Sequence, residues 1–333
     1  MYYLGVDGGG TKTSFMLINQ LGEIKGFTNS STCHIHQVGF QGLKEVIENG
    51  IKEVCSQGGI TKNDLSYSFL GLPAYGENAD EEKKILKTID EIFGTNKASC
   101  GNDISVALAG SLASKSGICI ILGTGAIAAG LNENFQTCRT SGWGHICGDE
   151  GSGYWIAKKG IEIFSKEADN RLEKTPLYYI FRENLNLKND FDLIFLIKDK
   201  YKQDRTKIAK LALLVYEAAK QGDKHALEIY KQAAYECFLM VKGIIKQLDL
   251  KYPLNVSYAG SVFNSGELII NPLKDYLGEI SSQIYVQAPI LTPIKGAALN
   301  AIKLHTGIIN DTIINTLANE NAIDIKEKIA VLL

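Results

Sequence analysis

Asp7-Gly8-Gly9-Gly10-Thr11-Lys12-Thr13 brings together a carboxylate, glycines, hydroxyls and an ammonium between two apolar runs. That mixture suits a polyphosphate. Glycine lets the backbone approach a ligand closely and tolerates positive φ. Successive N–H groups in such a turn form a nest for an anion. Thr11 and Thr13 add hydroxyl donors, Lys12 adds charge, and Asp7, at a strand end, is placed to hold a hydrated cation. The pattern recurs: Ile118–Leu122 is an apolar strand, Gly123-Thr124-Gly125 a glycine–hydroxyl turn, and Ala126–Leu131 a second strand. Two duplicated halves facing one ligand would give this repeat. The first copy is neither a P-loop nor a dinucleotide fingerprint: Thr11 separates Gly10 from Lys12, Thr13 occupies the last glycine position, and a strand follows where a helix should open. A plain hairpin turn is the competing reading of each.

Three further stretches carry chemistry. Gly101-Asn102-Asp103 precedes a small-residue helix, and Asp103 is either a general base or a helix N-cap. Residues 137–155 hold both tryptophans, Trp143 and Trp155, among dense glycine, with His145 and Asp149-Glu150. Aromatic, imidazole and carboxylate groups occurring together fit a polar-ligand pocket; a structural loop around a buried Trp is the alternative. Gly260-Ser261-Val262-Phe263-Asn264-Ser265-Gly266 is a third strand–glycine turn.

The elements that must position these groups follow from apolar spacing. Strands are expected at 23–28, 67–72, 97–100, 254–259 and 283–287, besides the two hairpins. Residues 29–34 read as polar loop. Helices are expected at 37–57, 78–93, 104–113, after Asp149-Glu150 to about 166, at 174–184, 190–201, 205–220, 223–248, after 266, and from 293; the tail from 308 is amphipathic.

With 333 residues, 45% hydrophobic and 22% charged, the chain has ordinary globular composition and room for two cores. A net charge of −2 without a long basic run argues against nucleic acid or an anionic membrane as partner. No apolar run reaches membrane-spanning length, and the N-terminus lacks a signal-like pattern. The expectation is a cytoplasmic protein. The seven cysteines lack Cys-x-x-Cys spacing and read as free thiols.

The order of phosphate turn (7–13), small-residue helix (103–113), second phosphate turn (123–125), strand–glycine turn (258–261) and second small-residue helix (293–304) resembles the actin/hexokinase/Hsp70 ATPase superfamily. More narrowly, the sequence is similar to the N-acetylglucosamine kinase family, relatives of the activator ATPases of benzoyl-CoA reductase and 2-hydroxyacyl-CoA dehydratase. The carrying stretches are Asp7–Lys12, Asn102-Asp103, Gly123-Thr124-Gly125, Gly142-Trp143-Gly144-His145, Gly148–Ser152 and Ala259–Val262, over residues 2–305.

The resemblance implies an α/β chain of two actin/hexokinase-like (ribonuclease H-like) domains with mixed five-stranded sheets, and an active-site cleft and hinge between them. The lobes would be 1–114 plus about 293–333, and 115–292. It implies ATP-dependent phosphorylation of the 6-hydroxyl of N-acetylglucosamine, with N-acetylmuramic acid as a further acceptor, by a homodimer using ATP and Mg²⁺. Asp103 matches the catalytic aspartate. Gly9, Gly10, Thr11, Lys12, Thr124, Gly125, Gly260, Ser261 and Asn264 match the ATP side, and Asp7 the carboxylate near Mg²⁺, through water. Cys33, His34, Asp103, Gly142, Trp143, Gly144, His145 and Asp149 match the sugar side.

Two positions depart from the family pattern. Cys33 stands where an Asn often contacts the sugar, and Ala126 where some relatives carry Ser. The loss of an amide at the pocket rim suggests tolerance of a 3-O-substituted hexosamine. Three other readings compete: a glucosamine kinase, an ATPase activator bridging an iron–sulfur cluster through Cys138 and Cys147, and a non-catalytic sugar-sensing regulator.

Overall fold

The computed structural model of the chain describes residues 1–134 and 136–320, with Asp103 described in its backbone alone. Two compact units result, Met1–Lys115 together with the chain from Pro289 on, and Ser116–Ala288.

In the first unit, β1 (Tyr2–Gly8), β2 (Lys12–Asn19), β3 (Ile24–Ser31), β4 (Leu65–Gly71) and β5 (Ala98–Gly101) form a sheet in the order β3-β2-β1-β4-β5. β1, β2 and β3 are antiparallel neighbours, while β4 and β5 continue from β1 in parallel. Successive strand residues face opposite sides. Leu4, Val6, Phe15 and Leu17 therefore enter one core, with Leu43, Ile47, Ile51 and Val54 of α1 (Ile35–Gln57) and Ile85, Ile89 and Ile92 of α2 (Ala79–Phe93). Tyr3, Met16 and Ile18 enter the other. Burial on both faces explains why β1 and β2 read as nearly continuous apolar runs.

The second face is covered by α3 (Asp103–Leu112) and, later in the chain, α12 (Pro293–Thr306) and α13 (Asp311–Asn319). Small residues let their backbones meet. A Cβ on Gly296 would lie 2.2 Å from the Gly110 nitrogen, and one on Gly5 would lie 2.3 Å from the Ala298 nitrogen.

The second unit repeats the plan. β6 (Gly117–Leu122), β7 (Ala126–Leu131), β8 (Thr137–Ser141), β9 (Leu254–Ala259) and β10 (Ile284–Gln287) are ordered β10-β9-β6-β7-β8. Read from β8, this is the first sheet's order with β6 in the place of β1. Its helices are α4 (Gly144–Cys147), α5 (Gly153–Ala168), α6 (Pro176–Asn184), α7 (Asp192–Phe195), α8 (Arg205–Ala209), α9 (Ala212–Lys220), α10 (Lys224–Leu248) and α11 (Glu267–Ile280). Their apolar faces build the larger core around Ile118, Ile120, Phe164, Phe181, Val215 and Val241.

The structure corrects the sequence reading in several places. β3 runs on through residues read as loop. β8, with the sequence Thr-Cys-Arg-Thr-Ser, lacks apolar alternation; ladder pairing with β7 and a bond from Thr140 Oγ1 to the Met240 carbonyl (3.0 Å) hold it as a strand. The helix expected at 205–220 is divided into α8 and α9, where i→i+3 bonds from Leu211 N–H and Leu213 N–H interrupt the α pattern. Among the described residues, no helix is long and apolar enough to cross a membrane. The part of the amphipathic tail at 321–333 lies outside the described residues.

Candidate active site

The carboxyl ends of the parallel strands collect the first unit's candidates, as expected for open α/β sheets. Asp7 of β1 pairs in register with Gly71 of β4, and Gly71 with Gly101 of β5. Asp7 is half-buried, and the backbone of Asp103 follows two residues beyond Gly101. The Asp103 side chain lies outside the described atoms, but the cap alternative is removed by its neighbour. Asn102 Oδ1 accepts from Ser105 N–H (3.0 Å) and from Ser105 Oγ (2.9 Å), so Asn102 caps α3.

The first turn spans Gly9–Thr11. Gly9 N–H donates to the Lys12 carbonyl (2.8 Å). Thr32 Oγ1 donates to the Gly9 carbonyl (2.8 Å) and Gln37 Nε2 to the Gly10 carbonyl (3.0 Å). Both carbonyls are thus held by side chains that the sequence reading missed. Gly8, Gly9 and Gly10 do not take the positive φ that the sequence suggested; they serve space instead. A Cβ on Gly8 would meet Cys33 Sγ at 2.7 Å, whereas one on Gly10 would find no atom nearer than Gln37 Nε2 at 3.9 Å, which leaves that backbone open.

Cys33 is not at a pocket rim. It is 1% exposed and packs in the α1–α2 core, and burial pushes its thiol above the ordinary value. The side chain supports the loop between β3 and α1 from the core. His34 caps α1, its Nδ1 accepting from His36 N–H (3.3 Å).

In the second unit the turn Gly123-Thr124-Gly125 is bonded to the loop that follows β8. Gly153 N–H donates to the Gly123 carbonyl (2.8 Å), Tyr154 N–H to the Thr124 carbonyl (3.4 Å), and Gly142 N–H to the Ala126 carbonyl (3.0 Å). Gly142 and Gly144 have φ of 74° and 78°. Trp143 is 74% exposed, while Trp155 packs against the core. The Trp-anchor reading therefore fits Trp155 and not Trp143. His145 meets Tyr154 edge-on at 5.1 Å. Asp149 is 3% exposed; it accepts from Ala126 N–H (3.2 Å) and pairs with Arg205 Nη2 (2.6 Å). Ser152, not Asp149, caps α5.

The third turn closes this neighbourhood. Gly260 follows β9 at φ 98° and leads into a 3₁₀ turn, Ser261–Ser265. A cavity of about 310 Å³ opens between these residues and the second turn, lined by Thr124, Ser261 and Asn264 together with Thr206, Lys210 and Tyr216. That volume falls at the lower end for small-ligand sites, about 300–1,000 Å³. The structure thus gathers Thr124, Ser261 and Asn264 at one cavity, with Gly260 directly before Ser261, and adds α8, which only helical spacing had marked. Cys138 lies half-buried on β8, and Cys147 is exposed at the end of α4.

The sequence profile of the BadF/BadG/BcrA/BcrD ATPase family matches residues 4–301. The chain belongs to that family. Among its relatives, the N-acetylmuramic acid/N-acetylglucosamine kinase of Clostridium acetobutylicum is 34% identical over 90% of this chain and 97% of its own length. The N-acetyl-D-glucosamine kinase of Dictyostelium discoideum is 33% identical over the same shares, 90% and 97%. The crystal structure of a Chromobacterium violaceum protein assigned as an N-acetylglucosamine kinase has a TM-score of 0.63 at 24% identity, covering 90% of this chain and 98% of that one. This last likeness carries the fold: α/β with two mixed five-stranded sheets, as in the actin/hexokinase-like sugar kinases.

Proposed function

We propose that the chain is an ATP-dependent amino-sugar kinase that phosphorylates the 6-hydroxyl of N-acetylglucosamine and also accepts N-acetylmuramic acid. The observation that carries this reading is the second unit's arrangement, where the glycine turn is bonded to the start of α5 and, through Ala126, to Gly142, and lines one cavity with Ser261 and Asn264. The names of the two 33–34% identical relatives support the acceptor class.

Phosphoryl transfer asks a protein mainly for alignment and charge neutralisation. In the first turn, Thr32 and Gln37 occupy the Gly9 and Gly10 carbonyls and the Gly9 N–H is taken by the Lys12 carbonyl, so the Gly10 and Thr11 amides meet the phosphate oxygens with the Thr11 hydroxyl and Lys12. Gly123-Thr124-Gly125 does the same work in the second unit, and Ser261 and Asn264 face the adenosine. Asp7 offers a hard oxygen donor suited to Mg²⁺ held through water, and the ion supplies charge neutralisation when bound. Asp103 accepts the proton of the attacking hydroxyl. Asp149 receives sugar hydroxyls, Gly142 and Gly144 let the loop approach, Trp143 offers an aromatic face, and His145 and His34 shape the pocket. Cys33 acts through the loop it supports. The seven cysteines, none of them in a disulfide, support a cytoplasmic setting. Phe191, Ile194 and Phe195, exposed on and beside α7, offer apolar surface for the second copy of a homodimer.

The deciding experiment is an ATP-coupled screen of N-acetylglucosamine, N-acetylmuramic acid, N-acetylmannosamine, glucosamine and glucose. The highest kcat/KM is expected for N-acetylglucosamine, with measurable turnover of N-acetylmuramic acid; no turnover of any sugar would remove the reading. Thr124→Val should raise the KM for ATP while sparing sugar binding. A lost hydrogen bond to a charged group is worth about 1.5–3 kcal/mol, or roughly ten- to a hundredfold. Unchanged kinetics at limiting ATP would argue against a phosphate contact.

A further inference from the structure

The buried Asp149 and the part-buried Arg205 form a pair that residue order does not announce. Asp149 has φ 63°, a left-handed conformation that persists in a non-glycine residue when its surroundings hold it. Oδ1 accepts from Ala126 N–H (3.2 Å) and Oδ2 from Arg205 Nη2 (2.6 Å). Arg205 opens α8 behind the cap Asp204, and Thr206 and Lys210 of the same segment line the cavity with Thr124. The guanidinium also bears on the second turn: a Cβ on Gly125 would stand 2.2 Å from Arg205 Nη2. Arg205 Nε is buried without a hydrogen-bond partner. One arginine thus touches both the turn placed at the phosphates and the carboxylate placed at the acceptor.

A carboxylate has about four lone-pair sites. Two of them are taken here, so Asp149 can accept acceptor hydroxyls while it is held. Without a cation, its burial would be costly and its orientation unconstrained.

We propose that Arg205 is a positioning residue of the phosphoryl transfer: clamping Asp149 Oδ2 and bearing on Gly125, it fixes the acceptor carboxylate against the second phosphate turn. This inference rests on the kinase reading. A planar guanidinium can lie along a glycine and bond a carboxylate at once, which a lysine ammonium does only in part.

The test compares wild type, Arg205→Ala and Arg205→Lys as full chains. Displacing a bound group by about 1 Å costs on the order of 10²-fold. The expected result for Arg205→Ala is a sugar KM raised about tenfold or more and a lowered kcat, with Arg205→Lys intermediate and millimolar guanidinium restoring part of the loss. Amide exchange at 123–126 and 148–152 should accelerate in Arg205→Ala, a readout that needs no turnover. A role confined to stability would lower the melting temperature and leave the sugar KM at the wild-type value. Wild-type kinetics and exchange in a folded Arg205→Ala overturn the proposal. Should that variant not fold, wild-type values in Arg205→Lys overturn it instead. Absence of turnover in wild type sinks the kinase reading alone, and exchange still decides whether Arg205 holds Asp149.

Discussion

Asp103→Asn is expected to bind sugar and ATP normally and to turn over about 10²–10⁴-fold more slowly, the range for loss of a positioned general base. An amide keeps the shape of the side chain but cannot accept the hydroxyl proton. Folding should be untouched, because the α3 cap is Asn102, whose Oδ1 already takes Ser105 N–H and Oγ. Equilibrium titration with N-acetylglucosamine, thermal melting and kcat at saturating substrate separate the terms. Near-normal kcat would show that Asp103 is not the base. A fall in melting temperature would show that the residue has a structural task.

Gly260→Ala should strike the nucleotide side about as hard. A Cβ there would stand 2.2 Å from the Leu122 carbonyl oxygen, on a backbone at φ 98°. The conformation costs a non-glycine residue about 1–3 kcal/mol, and the clash a further ~1–3 kcal/mol. Relief requires the end of β9 to move from the end of β6, the residue before the second turn. Each ~1.4 kcal/mol lost from ATP binding raises its KM tenfold, so a rise of one to several decades is expected, with a lower melting temperature. Wild-type values of both would mean that the close approach of Gly260 to Leu122 has no part in holding nucleotide.

Both turns, the duplication, the α/β class and the family could be read from residue order, because each rests on neighbours in sequence. Gly8-Gly9-Gly10-Thr11 and Gly123-Thr124-Gly125 announce themselves by local composition, and β1, β2 and β6 by apolar runs buried on both faces. Even there, sequence misjudged the reason for Gly8: steric room beside Cys33, not positive φ, makes it necessary. β8 escaped because the strand is held by ladder pairing and not by propensity.

The groups that finish the site come from farther off. Thr32 reaches the first turn across 23 residues, Gln37 across 27, and Arg205 reaches Asp149 across 56. A threonine, a glutamine or an arginine at a helix start carries no mark of such a contact, since its partner is set by how sheet and helices pack. Burial is likewise a property of the packed unit. Cys33 at the core, Trp143 at the surface and Asp149 enclosed with its arginine have the residue types that sequence marked. Only tertiary structure decided how far each is exposed, because accessibility depends on what the rest of the chain lays over each side chain.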